Sequence, residues 1–588
     1  MNSEMLESQG VRPKLRCGSV LPAAFAVAVV CAVYVGTLST LHPSVFWSPD
    51  EGAKFIQMHS LLVEPNAPHR LSYGAADSDP FFTFYPSAPI YPKPLWPAGV
   101  RNHWPALFPV LSLPLFRIAG LWGLYCLPVA GGVLAAFLAG TLARRLSPGA
   151  AAPAIVFSGL ASPLYFHSAL FLEHSLACAL AIGSLLCGWS LFSNSTRSLL
   201  ICCPATVCCL AGFYALRDEA LIFFAALVGS GVLTLTAGRT RRIALAGIVL
   251  LSILLLASSQ WIMAFPGSGR DAALLCDAAN ALARLKDSAL WNALPQHVLH
   301  VLINNPAQSG VPLPPVCAMA GLCGLFLCAL SPIVIPPRRF SCWLVGVCLV
   351  VASAACGLCM PERYRAIHGL LLPMPGAVLA WLPSPHGHNR QQRGERFLTT
   401  LFLLLPILHL VATWLLRRPA GGPEWGLRYV MVVYLLAAVL GCTAVVRFLE
   451  TSKNWQRFAG LGAAAMLLGL SCGYNVRGIF EQQVTKRDLR AFEQEIRNAG
   501  IAVVTDQWWL AAALAPTFVQ AELYTLNPGT DLPLWVDLVG SRAPAFVYVS
   551  YTPPPNVVRT ERGLLATLRH QRIIQQMTFS HFEIQTAP

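Results

Sequence analysis

Long apolar runs recur along this 588-residue chain, and they constrain its fold more than any other feature. Hydrophobic residues make up 55% of the sequence and charged residues only 12%, and the mean hydropathy is +0.57. A helix needs roughly 20 apolar residues to cross a bilayer, and about thirteen segments meet that criterion. The sequence therefore predicts an α-helical polytopic membrane protein with about thirteen transmembrane helices.

Basic residues lie in every second connection between the predicted spans, starting from the N-terminus. They include Arg12, Arg144, Arg197, Arg239, Arg338, Arg390 and Arg447. Because short basic loops stay on the cytoplasmic side, residues 1–17 are predicted to be cytoplasmic and, with an odd number of spans, the C-terminus is predicted to lie outside. The net charge of +14 is then mostly explained by membrane anchoring and gives no support to nucleic-acid binding.

The pattern divides the chain into a membrane domain, residues 18–476, and a C-terminal extracytoplasmic domain, residues 477–588. The membrane domain has a large first outer loop, 42–103, and a second outer segment, 264–312. The apolar stretch 18–41 is interpreted as the first span, since it lacks a convincing signal-peptide cleavage site. An amphipathic helix is predicted at 50–63, lying along the membrane surface.

The C-terminal region has the composition of a small soluble α/β domain and contains no cysteine. Helices alternate with strands there, which predicts one compact layered unit. The predicted order is helix 486–498, strand 501–505, helix 507–514, strand 520–526, helix 532–540 and strand 545–551.

Charged residues at the predicted outer ends of the spans form four clusters that can converge on one site. Adjacent carboxylates repel each other and lose hydration near a bilayer, so the acidic pair that opens the first cluster is a candidate for proton or cation chemistry. The clusters are Asp50, Glu51 and Lys54; Glu173 and His174; Arg217 and Glu219; and Arg363 with Arg428 and Tyr429.

These features resemble the bacterial GT-C membrane glycosyltransferases, a group related to protein O-mannosyltransferases and lipid A aminoarabinose transferases. The acidic pair, the Asn-His-Trp-Pro-Ala-Leu-Phe-Pro segment at 102–109, the outer Glu173-His174, the turn 217–219 and the segment 426–429 carry the resemblance. It implies a GT-C membrane domain in the bacterial cytoplasmic (inner) membrane. It also implies an enzyme that transfers a hexose or pentose from a polyprenyl-phosphate donor to an extracytoplasmic lipid, glycan or protein acceptor.

The resemblance also implies roles for individual residues. Asp50 matches the acid assigned as general base, with Glu51 beside it as a second catalytic candidate. Acceptor or sugar positioning is assigned to Glu173, His174 and Glu219. Binding of the lipid phosphate is assigned to Lys54, Arg217, Arg363, Arg428 and Tyr429, because guanidinium groups grip phosphate with paired hydrogen bonds.

Each assignment has a structural alternative. Asp50 is placed to cap the predicted helix 50–63, and Glu173 with His174 suits an ordinary turn at the membrane surface. Arg217 suits a local ion pair with Glu219, and Arg428 an interfacial anchor. No obligatory metal or other cofactor is predicted; a divalent metal stays possible, with only a weak signal in Asp77-Ser-Asp79.

Two functions of other classes stay open at the level of sequence. A secondary transporter also gathers charges in a helix bundle, but it favours internal repeats and charges near span centres, which this sequence lacks. A non-catalytic subunit for the assembly of envelope polysaccharide would need the same membrane anchoring without the acidic site.

Overall fold

The structure is a computed structural model that describes most of the chain, with gaps. The described residues are 20–63, 71–86, 93–95, 99–101, 105–191, 196–217, 219–234, 315–331, 334, 336–359, 371–383, 404–410, 428–526, 531–574 and 577–586. The predicted second outer segment, 264–312, lies outside the described residues.

Helices dominate the described residues before position 500, and the helices numbered here are those of the described ranges. The first nine are α1 Val20–Ser39, α2 Pro49–Val63, α3 Leu107–Ala119, α4 Cys126–Leu146, α5 Ala151–Leu160, α6 Leu164–Ser168, α7 His174–Leu191, α8 Thr196–Leu216 and α9 Glu219–Thr234. Four more follow after a gap: α10 Pro315–Leu330, α11 Pro336–Cys359, α12 Met431–Thr451 and α13 Asn454–Ala499. A short antiparallel pair, β1 Lys93–Leu95 and β2 Gly99–Arg101, lies in the first outer loop.

Five helical segments in the described part of the chain are long and apolar enough to cross a membrane. They are Leu21–Ser39, Leu107–Leu146, Arg338–Cys359, Met431–Thr451 and Asn454–Ala499. Shorter apolar helices lie at Pro148–Leu160, His174–Trp189, Pro204–Leu216 and Val316–Leu330. The mostly helical membrane architecture is thus present, while the count of about thirteen spans stays a prediction.

The bundle packs through small residues on α4, which contacts α1, α5, α7 and α12. Ala135, Ala136 and Ala139 on α4 are completely buried. A Cβ added to Gly140 would lie 2.3 Å from the side chain of Ile155 on α5. Small side chains let helix backbones approach closely, which is how helices associate where lipid removes the hydrophobic driving force.

The two ends of the bundle differ in charge. At the ends of α4 and α12, Arg447 donates a hydrogen bond to the carbonyl oxygen of Leu146, beside Arg144 and Arg145. Arg428 lies just before the start of α12, at the opposite end, and there it forms an ion pair with Asp50. This segregation is the one expected when basic loops and acidic outer segments lie on opposite sides of a bilayer.

The C-terminal domain is built on a six-stranded mixed sheet. Its strands are β3 Ala502–Thr505, β4 Leu523–Thr525, β5 Ala545–Ser550, β6 Val557–Arg559, β7 Leu564–Ile574 and β8 Met577–Thr586. The order is β4-β3-β5-β8-β7-β6, with β3 parallel to β4 and β5 and the other pairs antiparallel. Its helices are α14 Trp508–Ala513, α15 Ala515–Phe518 and α16 Leu532–Leu538.

The alternation predicted for residues 501–551 is confirmed, with one turn added by α15. Two features differ from expectation. The predicted helix 486–498 is the last part of α13, so the predicted domain boundary at 476/477 lies inside a continuous helix. The antiparallel strands β6, β7 and β8 lie beyond the last predicted strand; the stretch 569–572 of β7 is exposed and polar, which interrupts the apolar alternation on which a strand prediction depends.

Helix α2 is present where the sequence predicts it, but it is buried and not laid open on a surface. It packs against α3 on one side and against α14 and α15 of the C-terminal domain on the other. A Cβ added to Gly52 would lie 1.7 Å from the carbonyl oxygen of Ala512. The backbone N–H of Phe46 also donates to the carbonyl oxygen of Ala513 at 2.8 Å. The outer loop and the C-terminal domain therefore share one core.

Replacing Gly52 with alanine tests this contact. Since the new methyl group overlaps backbone atoms that have no side-chain freedom, we expect Gly52→Ala to lower the free energy of unfolding by about 1–3 kcal/mol. Gly462→Ala in α13 is the matched control, because nothing lies within 4 Å of its added Cβ. Thermal unfolding of the purified proteins in detergent measures both changes. Equal melting temperatures for the two variants would refute the close packing of α2 on α14.

Candidate active site

The start of α2 is fixed by a reciprocal capping arrangement between Ser48 and Glu51. The N–H of Ser48 donates to Oε2 of Glu51 at 3.0 Å, and the N–H of Glu51 lies 3.4 Å from Oγ of Ser48. Pro49 occupies the first helical position, where its missing N–H costs nothing. The cap is therefore Ser48, and not Asp50 as the structural alternative for Asp50 supposed.

The two adjacent carboxylates point to different partners. Oδ2 of Asp50 accepts a hydrogen bond from Nη1 of Arg428 at 2.5 Å. Glu51 is completely buried, and its Oε1 accepts from the N–H of Phe171 at 2.8 Å. The two acids therefore have different partners: Asp50 forms an ion pair with Arg428, and Glu51 accepts hydrogen bonds from backbone N–H groups.

Glu173 lies in the segment that links α6 to α7, and it binds two further cations. Its Oε2 lies 2.9 Å from Nζ of Lys54, and its Oε1 lies 3.0 Å from Nη1 of Arg217. Lys54 and Glu173 are 2% and 1% exposed, respectively. A buried ion pair needs good geometry to offset desolvation, and Glu173 obtains it by binding one cation with each oxygen.

Three cations therefore face two carboxylates in one cluster, which we call the outer charge cluster: Asp50, Lys54, Glu173, Arg217 and Arg428. Burial raises the pKa of Asp50, but the charges of Arg428, Lys54 and Arg217 outweigh it and hold that pKa below its usual value. For Glu173, burial also raises the pKa, and Lys54 and Arg217 reverse that shift. Both carboxylates are ionised at neutral pH, and the cluster keeps one positive charge in excess.

A cavity adjoins the outer charge cluster. About 290 Å³ of space lies between its lining residues, and this volume includes open solvent. Arg217 and Arg428 lie on its wall with two histidines, His174 and His409. The remaining lining is apolar: Ala177, Cys178, Phe213, Met431 and Val432. Such a wall combines anion-binding groups with a surface suited to hydrocarbon.

The structure brings together residues from all four clusters that the sequence indicated. His174 lies on the cavity wall, with its ring 4.9 Å from that of His167. Glu219 begins α9 directly after the turn that holds Arg217, and Tyr429 follows Arg428 in a 3₁₀ turn. Arg363 lies outside the described residues. Arg217 forms an ion pair with Glu173. The alternative of a local pair with Glu219 involves a side chain outside the described part of the structure and stays a prediction.

Sequence reasoning included His167 in the second cluster but missed three other buried polar residues: Tyr125, His409 and Lys486. His409 belongs to a short helical stretch, 404–410, that reads as part of an apolar span. Lys486 belongs to a segment that reads as an ordinary amphipathic helix of a soluble domain. Neither carries a local motif, because both are brought to the site only by the packing of distant helices.

Asp79, part of the weak metal signal, has a structural role. Its carboxylate accepts hydrogen bonds from the N–H groups of Thr83 and Phe84 at 2.9 and 2.8 Å. Tyr73 donates to it as well, at 3.2 Å. Within the described ranges, no group of three or more histidine, cysteine or acidic side chains is placed to hold a metal ion.

Comparison with known proteins gives distant structural similarities. No family model matches the sequence, and no curated protein matches it. ArnT from Cupriavidus metallidurans, solved with undecaprenyl phosphate, is 14% identical over 96% of this chain and 98% of that chain, with a TM-score of 0.40. The Archaeoglobus fulgidus oligosaccharyltransferase is 13% identical over 86% of this chain and 65% of that chain, with a TM-score of 0.42. The function proposed below is argued from the contacts of this chain.

Replacing Glu173 with glutamine tests the outer charge cluster. The variant leaves Lys54 and Arg217 buried without their carboxylate, so we expect a loss of about 3–5 kcal/mol in the free energy of unfolding. Glu583→Gln, in the exposed pair with Arg569, is the control and should cost less than about 1 kcal/mol. Thermal unfolding in detergent measures both, and similar small losses in the two variants would contradict a buried cluster.

Acid should destabilise the folded protein through Glu173. The pKa of Glu173 is lower in the folded protein than its ordinary value of 4.5, so folding loses this stabilisation as the pH falls below that value. We expect the melting temperature of the wild type to drop more steeply with acid in that range than the melting temperature of Glu173→Gln. Parallel curves would show that Glu173 is not held ionised.

Proposed function

We propose that this protein is a membrane glycosyltransferase that transfers a sugar from a polyprenyl-phosphate donor to an extracytoplasmic acceptor. The observation that carries the proposal is the outer charge cluster, in which a partly accessible carboxylate lies against an excess of fixed cations beside an apolar cavity. A lipid phosphate has the matching chemistry, an anion attached to a hydrocarbon chain.

In the proposed reaction, the acceptor hydroxyl attacks the anomeric carbon while Asp50 orients it and takes its proton. A new bond forms between the acceptor oxygen and the anomeric carbon, and the bond from that carbon to the phosphate oxygen breaks. Because the pKa of Asp50 is held low by its neighbours, its carboxylate is ionised and ready to accept a hydrogen bond.

The departing lipid phosphate takes the bonding electrons and needs cations already in place. Arg217 and Arg428 lie on the cavity wall and are assigned to that phosphate, with Lys54 behind them. A guanidinium has five N–H donors, so Arg428 can bind phosphate and still hold Asp50. Glu173 is assigned to fixing Lys54 and Arg217, and His174, on the same wall, to positioning the sugar or acceptor.

The remaining predicted site residues are given roles in positioning and in binding. Glu51 is assigned to positioning, since both of its oxygens accept backbone N–H groups. Glu219 and Tyr429 are retained for acceptor and phosphate binding because Glu219 lies two residues after Arg217 and Tyr429 directly follows Arg428. A place in the bacterial inner membrane is proposed from the family resemblance of the sequence. The position of the site and the C-terminal domain outside the cytoplasm is proposed from the charge segregation of the bundle.

The placement of charge supports an enzyme over a transporter. The described members of the cluster lie at helix ends and in the outer loop, and Arg428, Glu173 and Arg217 flank α12, α7 and α8 without entering them. Transport sites for ions and small solutes lie near the middle of the membrane, on broken helices.

A transfer assay in membranes with labelled polyprenyl-phosphate sugars tests the proposal. We expect Asp50→Asn to lower the transfer rate by roughly 10²–10⁴-fold, because an amide orients a hydroxyl but takes no proton. Asp77→Asn is the matched control: Asp77 lies in the same outer loop, is exposed, and should leave transfer unchanged. Unchanged transfer by Asp50→Asn would overturn the assigned base. Wild-type protein inactive with every donor would favour the assembly-subunit function instead.

A further inference from the structure

Cysteines are concentrated on two neighbouring helices, α10 and α11. Of the 19 cysteines in the sequence, those on these helices are Cys317, Cys323, Cys328, Cys342, Cys348, Cys356 and Cys359. Contacts run from Cys328 with Trp343 to Cys317 with Cys356, so the two helices pack side by side in opposite directions. Cysteines near both ends of α10 therefore meet cysteines of α11.

The backbones of α10 and α11 come into direct contact. A Cβ added to Gly324 would lie 2.6 Å from the carbonyl oxygen of Gly346, and one added to Gly346 would lie 2.7 Å from the carbonyl oxygen of Gly324. A disulfide usually joins residues whose Cα atoms are about 4.4–6.8 Å apart. Cysteines that face each other across such closely packed helices can meet that requirement.

The cysteines at the two ends of this helix pair make different contacts. Near the end of α10 and the start of α11, Cys328 and Cys342 each donate to a carbonyl oxygen of the opposite helix at 3.6 Å. At the other end, the Sγ atoms of Cys317 and Cys356 lie 3.0 Å apart. A disulfide joins sulfur atoms about 2.0 Å apart, so a movement of about 1 Å brings this second pair to bonding distance.

The pair of Cys317 and Cys356 lies at the same end of the bundle as the outer charge cluster. Cys317 packs against an apolar cluster that includes Leu172, and Leu172 directly precedes Glu173 in the chain. The basic pair 338–339 lies at the opposite end of α11. Since basic residues mark the cytoplasmic side, the two sulfur atoms lie at the end of the bundle that is proposed to face away from the cytoplasm.

Helix α13 fixes the end of α11 that carries Cys356. The hydroxyl group of Tyr474 donates to the carbonyl oxygen of Ala354 at 2.7 Å, and Nη1 of Arg477 donates to the carbonyl oxygen of Leu358 at 2.9 Å. Cys356 lies between these two contacts along the chain. A covalent bond from Cys356 to α10 would therefore hold the first turn of α10 on the same support.

We propose that Cys317 and Cys356 form a disulfide on the extracytoplasmic side of the membrane. The oxidant is a disulfide-bearing molecule of that compartment, where such bonds form and persist. The thiolate of one cysteine attacks the oxidant, and the thiolate of the other then displaces it. The S–S bond of the oxidant breaks, the new S–S bond forms, and the oxidant leaves as two thiols that take up the two protons. Cys328 and Cys342, near the basic end, remain thiols.

This inference goes beyond the proposed function. It shares with that proposal only the position of the outer end of the bundle outside the cytoplasm, and it needs no bound donor or acceptor. The bond would join the two ends of a 40-residue stretch, 317–356, that includes both helices. Its expected effect is to stabilise the outer end of the helix pair against unfolding.

Mass spectrometry of the full-length chain tests whether the bond is present. Free thiols are alkylated in intact cells and during extraction, and the denatured protein is digested with chymotrypsin without reduction. Cleavage after Leu322, Leu349 and Leu358 separates Cys317 and Cys356 from the neighbouring cysteines. We expect a cross-linked pair of peptides that reduction separates. Both cysteines alkylated before any reduction would overturn the inference.

Thermal unfolding in detergent, with and without a phosphine reductant, measures the effect of the bond. Reduction should lower the melting temperature of the wild type by several degrees, because the bond constrains the unfolded chain. Cys317→Ser and Cys356→Ser should each melt below the oxidised wild type and should not respond to the reductant. Cys323→Ser and Cys348→Ser, at exposed cysteines of the same helices, are the matched controls and should respond as the wild type does. A wild-type response in Cys317→Ser would contradict the bond.

The bond and the proposed function are judged by separate measurements, since neither bond experiment needs transfer activity. A protein that contains the cross-link but transfers no sugar from any donor would overturn the function and leave the bond standing. A protein that transfers sugar while both cysteines are alkylated would overturn the bond and leave the function standing.

Discussion

The arrangement at the outer end of the bundle depends on Glu173. This buried carboxylate holds one cation with each oxygen, Lys54 from the first outer loop and Arg217 from the end of α8. Without it, two positive charges would face each other in a region with little water. Because α2 carries both Lys54 and Asp50, the same contact sets where Asp50 meets Arg428.

The C-terminal domain provides the second support of α2. Backbone contacts from Ala512 and Ala513 press on α2 and on the segment before it, and the N–H of Thr525 donates to the carbonyl oxygen of Phe84 at 2.8 Å. Aromatic rings continue the contact, with Tyr73 stacked 5.5 Å from Phe518. The segment that carries Asp50 and Glu51 therefore packs between the helix bundle and the sheet domain.

Much of this was accessible from the sequence, for identifiable reasons. Apolar length depends only on composition along the chain, and it predicts the membrane helices. The side of the membrane on which Asp50, Glu173 and Arg217 lie stays a prediction from the alternation of basic loops. Partner choice was not accessible. Nothing local tells that Asp50 pairs with Arg428, 378 positions away, or that Glu51 turns inward to Phe171. The cap was readable in hindsight, since Ser-Pro-Asp-Glu has the spacing of a capping box.

Helix α13 has a mechanical consequence. It runs without interruption from Asn454 to Ala499, about 70 Å at the usual rise per residue, from an apolar segment into the core of the sheet domain, where Phe492 meets Phe579. A continuous helix of this kind has no hinge between the helix bundle and the sheet. The sheet domain is therefore not a detachable module on a linker: a load applied to it passes along α13 directly into the helix bundle.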